Sequence, residues 1–398
     1  MKLCKKTVIG DLTAGDVQRT TISCLGIPIL ERRRVLLASV PIPSISGGGG
    51  GTMCAEVLGF KNTYYFLKIP FWVATHTLLS NQRYSYNIHY NVSPEEPDFA
   101  AICNNAERNK NLKEKVLRLC ANLPIEDQKM VVRQVALSRK AWETGNFWVH
   151  HLTQKEISER ERLDREFFPN IFKIADDLYF YDGYFLPQGA FGPSVFFYKH
   201  GLRQIFSQKT LDNIRQKDII DAGGFLADSA IIFEREFCDK TIYSFEPTSK
   251  QFALMQQTLK LNNSKRVVPI NKGIGAASTT QNILVGGGAS SFARENNTDT
   301  KETAKIVSID EFVSANNLQI GFIKADVEGF EQELLKGAKH TICTQKPALL
   351  ISLYHNESDY FDIKPMIESW NLGYKMRIYK GTDISLFHEV ALYCEAVD

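Results

Sequence analysis

Ile219-Ile220-Asp221-Ala222-Gly223-Gly224-Phe225-Leu226-Ala227-Asp228-Ser229 is a short apolar run that ends in an acid, a glycine pair and a second acid. A brief apolar stretch bounded by turn formers reads as a buried strand. The residues after it, as far as Phe237, read as a helix that begins near Ala227. Glycines at such a strand end let a ligand come close to the backbone. The free N–H groups of the helix start point into the same crevice. An ordinary turn with an acid favouring the helix dipole would look the same in isolation.

Downstream the strand–helix alternation continues. Thr241 to Phe245 reads as a second strand, Ser249 to Leu261 as a helix and Arg266 to Asn271 as a third strand. Ile320 to Ala325 is a fourth, followed by a helix from Glu328 to Lys339, and Ala348 to Tyr354 is a fifth, followed by a helix ending near Trp370. Alternation of this kind predicts an α/β fold with a doubly wound, Rossmann-like parallel sheet. Tyr374 to Tyr379 and Val390 to Cys394 lack an intervening helix, so they predict an antiparallel hairpin at the end of the sheet.

Ligands of open α/β sheets bind at the carboxyl ends of the strands, which directs attention to the acids there. Asp221 ends the first strand, where a carboxylate can accept bonds from an amino-acid tail or a ribose. Glu246, in Phe245-Glu246-Pro247, follows the second strand at the spacing that suits an acid gripping ribose hydroxyls. The fourth strand ends in Ile323-Lys324-Ala325-Asp326-Val327-Glu328-Gly329-Phe330-Glu331, where Lys324 is out of place in a buried strand. Glu328 and Glu331 are spaced to share a helix face. His355, in Leu353-Tyr354-His355-Asn356, follows the fifth strand and is a candidate base, although a histidine bonding a loop carbonyl fits equally.

These motifs together resemble the FkbM family of S-adenosylmethionine-dependent methyltransferases over residues 217–398. The family pattern Asp-x-Gly-Ala-Asn-x-Gly-Asp corresponds to Asp221–Asp228, Phe-Glu-Pro to Phe245–Pro247, and Ile-Lys-x-Asp-x-Glu-Gly-x-Glu to Ile323–Glu331. Two positions depart from it: Phe225 stands where the family has Asn, and Ala227 where it has Gly. The resemblance implies a methyltransferase sheet of seven strands with S-adenosylmethionine as cofactor. It implies that Asp221, Gly223, Gly224, Asp228 and Glu246 bind that cofactor, and that Asp326, Glu328 and His355 face methyl transfer. It also implies a glycan or small-molecule acceptor, methylated on a sugar hydroxyl. The departures keep an alternative open, a non-catalytic scaffold of the same fold in a glycan-assembly complex. A nicotinamide-dependent oxidoreductase is disfavoured because its Gly-x-Gly-x-x-Gly would need glycine at Phe225 and Asp228.

The remaining chain is less regular. With 398 residues, 44% of them hydrophobic, it can bury a large core. A net charge of +2 with no long basic tract argues against a nucleic-acid partner. Cysteines at 4, 24, 54, 103, 120, 238, 343 and 394 form no Cys-x-x-Cys pair, which suits a reducing compartment and excludes a zinc ribbon. No metal is expected, since neighbouring acids such as Asp326 and Glu328 do not establish one. No apolar run is long enough to span a bilayer, so the expected location is cytoplasmic. Arg32-Arg33-Arg34 leaves peripheral contact with a membrane surface or a partner open.

Three regions are expected. Residues 1–95 are irregular, with Gly47–Gly51 as a linker and edge strands or docking segments at the Ile-Pro phrases of Cys24–Arg34 and Tyr64–Trp72. Residues 96–166 form a helical connector, and 167–398 the catalytic domain. The aromatic run Tyr179 to Phe185 reads as core, with stacking against sugar rings as the other reading.

Overall fold

A computed structural model of the chain describes residues 4–9, 17–24, 27–41, 56–66, 69–78, 89–91, 106–144, 148–150, 152–286, 289–291, 300–381 and 386–396. The chain divides into two compact units, Met1–Ser46 with Gly51–Asn87, and Gly47–Gly50 with Ile88–Asp398. The glycine linker reading falls on residues outside those described.

The first unit contains more regular structure than its sequence suggests. Strands Cys4–Ile9, Val17–Cys24, Ile27–Pro41, Glu56–Phe66 and Ile69–Leu78 pair in chain order as a five-stranded antiparallel sheet. The two Ile-Pro phrases each open a strand just after a reversal of direction. Pro28 pairs with Ser23 and Pro70 with Tyr65, both beside a shift of register. Proline donates no ladder bond, so an irregular place in the ladder accommodates it.

The second unit is built on a seven-stranded sheet. Its strands are β1 (Asp218–Ala222), β2 (Ile242–Phe245), β3 (Val267–Ile270), β4 (Ile320–Ala325), β5 (Ala348–Ser352), β6 (Tyr374–Tyr379) and β7 (Ala391–Ala396). They lie in the order β3-β2-β1-β4-β5-β7-β6. β1 to β5 are parallel, and β7 runs antiparallel to both of its neighbours. The helices that follow β1 in the chain are α1 (Asp228–Glu236), α2 (Ser249–Leu261), α3 (Ile309–Asn316), α4 (Glu331–Gly337), α5 (Lys339–Gln345) and α6 (Glu357–Glu368).

The central strands are buried on both faces, which explains their near-continuous apolar sequence. Ile219, Ile242, Phe322 and Leu350 face one core, which also holds Phe233 of α1 and the aromatic residues Phe167, Tyr181, Tyr184, Phe191 and Phe196. Ile220, Ile323, Leu349 and Ile351 face the other, with residues of α3 to α6. Tyr181 and Tyr184 of the aromatic run are therefore core, with Phe167 and Tyr181 rings 4.7 Å apart edge to face, while Tyr179, Phe180 and Phe185 are half-buried.

Between β3 and β4 the sequence analysis placed no sheet, yet four short strands sit there. Gly273–Ile274, Thr279–Gly286, Ala289–Ser291 and Thr300–Val307 form a separate sheet in which the second and fourth pair antiparallel.

The helices of the expected connector, Ala106–Cys120, Ile125–Thr144 and Gln154–Glu166, match their periodicity. A Thr153/Glu156 capping box starts the last of them. Leu112, Leu119, Val131 and Val135 share the second core, so the first two helices are a layer on the sheet. Asp127 accepts both Arg377 Nε at 2.7 Å and Nη2 at 2.9 Å, and Tyr360 donates to Gln134 at 2.8 Å. Among the described residues no helix is long and apolar enough to cross a membrane.

Candidate active site

On one face of the sheet, four neighbouring strands change from apolar to polar at their carboxyl ends. Ile242 gives way to Ser244, Ile219 to Asp221, Phe322 to Lys324 and Leu350 to Ser352. Register puts Asp221 beside Ser244 on one side and Lys324 on the other. The apolar half of the stripe is core, and the polar half is the floor of a site.

Lys324 lies at the centre of this floor, 5% exposed. It donates to the Gly223 carbonyl at 2.8 Å and stands 3.5 Å from Asp221 Oδ1 and 3.8 Å from Asp326 Oδ2. Burial opposes its charge, but Asp221, Asp326 and Asp228 outweigh burial and hold the ammonium protonated.

Asp221 is fully buried and accepts from Ser244 Oγ at 2.6 Å. Burial pushes its carboxyl upward, with Lys324 and Ser244 opposing. Asp221 thus supports the floor and has no exposed surface of its own. Its Oδ1 makes no hydrogen bond among the described residues.

The glycine pair is also required by the packing of the protein itself. Gly223 has φ +80, and a Cβ there would stand 1.7 Å from the Asp326 carbonyl oxygen. A Cβ on Gly224 would meet Ser244 Oγ at 2.2 Å and Met255 Cε at 2.5 Å. The space beside both glycines is filled by the protein itself, which brings the first and fourth strand ends together. Asp326 N donates to Ala222 O across the same junction at 3.0 Å. Phe225 (φ 44) and Ala227 (φ 62) continue the turn in the left-handed region, which Asn and Gly adopt more readily.

Glu246 is buried and folds back onto that turn. It accepts from Phe225 N at 3.2 Å, Thr248 N at 3.0 Å and Thr248 Oγ1 at 2.7 Å. Burial raises its carboxyl to about 7 despite these bonds. A carboxylate has about four lone-pair positions, so about one remains for a ligand hydroxyl. Asp228 opens α1 and accepts from Ser229 N at 2.8 Å; burial lifts it also to about 7.

At the other end of the floor, Asp326 accepts from Tyr354 Oη at 3.1 Å. Burial works to raise its carboxyl, but Lys324 and His355 outweigh this and hold it below the usual range. Glu328 is raised by burial among neighbouring acids. It has φ 55 and Gly329 has φ 94, so neither is helical and α4 begins only at Glu331. The expectation that Glu328 and Glu331 share a helix face is therefore corrected.

His355 occupies a ring of acids. Its Nδ1 is 2.8 Å from Glu331 Oε1, and its Nε2 is 3.4 Å from Asp326 Oδ1 and 3.6 Å from Glu328 Oε2. Burial would discharge it, yet Glu331, Glu328 and Asp326 raise it to about 10. These three acids favour the imidazolium form of His355, which has no lone pair to take a proton. The nearest atoms of Asp326, Glu331 and His355 lie within 4.8 Å of one another, a spacing a cation would accept. Glu331 and His355, however, already bond each other directly.

Beside Asp326 a cleft opens, lined by Tyr198, His200, Ser352, Glu389 and Tyr393 among others. His200 Nε2 lies 3.0 Å from Ser229 Oγ, and burial, aided by Lys324, pushes this imidazole down to about 3, so it is neutral. His200 carries no sequence signal of its own, whereas Glu331 was legible as the last acid of the fourth-strand motif. Lys324 was legible as a cation in an apolar strand.

A parallel sheet that ends in an antiparallel β7 inserted beside β5, with acids gathered at the ends of β1, β2 and β4, defines a Rossmann-like methyltransferase fold. Residues 218–376 match the family described as the methyltransferase FkbM domain. That match covers less than half of the chain and shows what this stretch is similar to. Methyltransferase 1 of Beauveria bassiana (strain ARSEF 2860) is 22% identical over 193 residues, 42% of this chain and 78% of that protein. The crystal structure of methyltransferase FkbM from Methylobacillus flagellatus KT aligns with a TM-score of 0.48 at 16% identity, covering 75% of this chain and 62% of that one. An rRNA methylase from Streptococcus thermophilus aligns with a TM-score of 0.31 at 11% identity, covering 48% of this chain and 93% of that one. The chain thus spans under two thirds of the Methylobacillus protein.

Proposed function

We propose that this chain is an S-adenosylmethionine-dependent methyltransferase that methylates a hydroxyl of a sugar or glycan, in a cytoplasmic setting. The observation that carries the reading is the convergence of the first turn, Glu246 and Asp326 along one rim of the sheet, with Lys324 linking Asp221 to Asp326.

The donor set suits an adenosyl cofactor with an amino-acid tail. Asp221, fully buried against Lys324 and Ser244, would hold the turn that receives the amino-acid tail. Glu246 keeps about one acceptor position for a ribose hydroxyl, and Asp228 at the start of α1 is partly exposed. Gly223 and Gly224 shape the turn that carries these groups. When bound, the cofactor supplies an electrophilic methyl group on a sulfonium.

The protein's own contribution is position and proton management. Asp326 and Glu328 stand at the rim, where they would orient an acceptor hydroxyl, and Glu328, with its raised carboxyl, would take the proton of that hydroxyl. His355 holds both acids from behind as a cation.

Phe225 and Ala227, left-handed where the family has Asn and Gly, favour a second reading in which the fold survives as a scaffold without cofactor. Thermal shift with S-adenosylhomocysteine separates the two, since a ligand held only by the folded state raises the melting temperature. Labelled cofactor incubated with lysate glycans, followed by mass spectrometry, then reads the acceptor. No thermal shift and no label transfer would leave only the scaffold.

A further inference from the structure

Glu331 is absent from the expected site residues, yet more of the rim depends on it than on any acid assigned there. Its side chain is fully buried at the first position of α4, so it touches no ligand. Oε1 accepts from Val327 N at 2.8 Å and meets His355 Nδ1 at 2.8 Å, while Oε2 accepts from Gly329 N at 3.0 Å. The two amides flank Glu328. They hold it and Gly329 in the left-handed conformation that turns the Glu328 carboxylate toward His355 Nε2.

From the other side, Asn356 caps α6 by accepting from Asp359 N, which anchors the segment carrying His355. One buried carboxylate therefore joins the loop after β4 to the loop after β5.

We propose that Glu331 is the positioning residue of this rim, fixing where Asp326, Glu328 and His355 stand relative to the methyl acceptor. The proposal rests on the methyltransferase reading above. Misplacing reacting groups by about 1 Å costs on the order of 100-fold in rate. A buried carboxylate bonded to the rear nitrogen of a histidine sets both the orientation and the charge of that ring.

The groups facing His355 are Glu331 from α4, Asp326 and Glu328 from the loop after β4, and Tyr354 from its own loop. His388 stacks on the far side of Tyr354 at 4.8 Å. Asp359 stands behind Glu331, its carboxyl raised to about 8 by burial first and then by Glu331.

The test uses the full chain with Glu331→Gln, which preserves size and removes charge. The His355 ring is followed by NMR titration, S-adenosylhomocysteine binding by calorimetry, and label transfer from S-adenosylmethionine to lysate glycans. The His355 midpoint should fall toward the ordinary value of about 6.5. Turnover should fall about 10- to 100-fold, while the cofactor-product Kd stays within about twofold. Asp359→Asn, which leaves Glu331 in place, should keep the His355 midpoint high.

An unmoved His355 midpoint or unchanged turnover in Glu331→Gln would overturn the proposal, as would an equal shift in Asp359→Asn. Should Glu331→Gln fail to fold, His355→Gln must reproduce the turnover loss with intact cofactor-product binding, and full turnover there overturns it. Loss of S-adenosylhomocysteine binding by the unsubstituted protein would instead strike the methyltransferase reading, and the NMR titration would still decide the role of Glu331.

Discussion

Replacing Lys324 with methionine removes the only cation that bridges Asp221 and Asp326 among the described residues, and its cost can be worked from the distances. At an effective dielectric of about 20, attraction over 3.5 Å to Asp221 is about 5 kcal/mol, and over 3.8 Å to Asp326 about 4 kcal/mol. Desolvation of the buried lysine offsets several kcal/mol of this. The net cost has a ceiling, because an uncompensated Asp221 can take up a proton. From an ordinary value of about 3.9, neutralising it at pH 7 costs about 4 kcal/mol. Loss of the bond to the Gly223 carbonyl adds about 1 kcal/mol.

Lys324→Met should therefore destabilise the sheet by about 3–5 kcal/mol at pH 7. The raised Asp221 of the variant contributes full stability below its unfolded value and loses it as pH rises. The deficit should thus shrink as pH falls toward about 4. Lys324→Met combined with Asp221→Asn should recover at least about 2 kcal/mol relative to the sum of the single changes. Hydrogen exchange of peptides covering β1 and β4 reads the stability of this region directly. A cost below about 1 kcal/mol that does not vary with pH would show that the lysine is not the counterion of these acids.

Three further outcomes follow from the same geometry. Gly223→Ala places a methyl against the Asp326 carbonyl at a left-handed position, so it should cost at least about 3 kcal/mol and abolish S-adenosylhomocysteine binding, as read by thermal shift; a variant as stable as the parent would refute the close approach. Phe225→Asn relieves a left-handed bulky residue and should raise stability by about 1 kcal/mol, seen as a higher melting temperature; a lower one would mean that the Phe225 ring packs more than it strains. Glu246, raised to about 7 in the folded state, should make the protein lose on the order of 3 kcal/mol as pH climbs from about 4.5 through 7, and Glu246→Gln should flatten that slope in urea titrations across pH.

Part of this molecule was legible before any coordinates. Short apolar runs alternating with helical stretches placed β1, β2, β4, β5 and α2 within a residue or two, because strands buried on both faces are written as unbroken apolar runs. The missing helix before Val390 correctly announced an antiparallel ending. The sheet between β3 and β4 escaped notice. Its strand Thr300–Val307 alternates Thr, Glu, Ala and Ile with lysines and packs only a small cluster of Ile283, Ala304 and Ile306, so its apolar signal is weak. Of the N-terminal meander only the Ile-Pro phrases were read as edge strands, because in its longest strand Arg32-Arg33-Arg34 interrupts the apolar run.

Residue identity and spacing alone thus determined the class of fold, the edge of the sheet that carries the site and most of the acids on it. What each acid does was decided by tertiary structure. A carboxylate's protonation and partners depend on burial and on charges brought from other strands, and these distances have no trace in linear order. Asp221 reads as a ligand-facing acid until Lys324 and Ser244 close over it, and His355 reads as a base until three carboxylates from the neighbouring turn surround it.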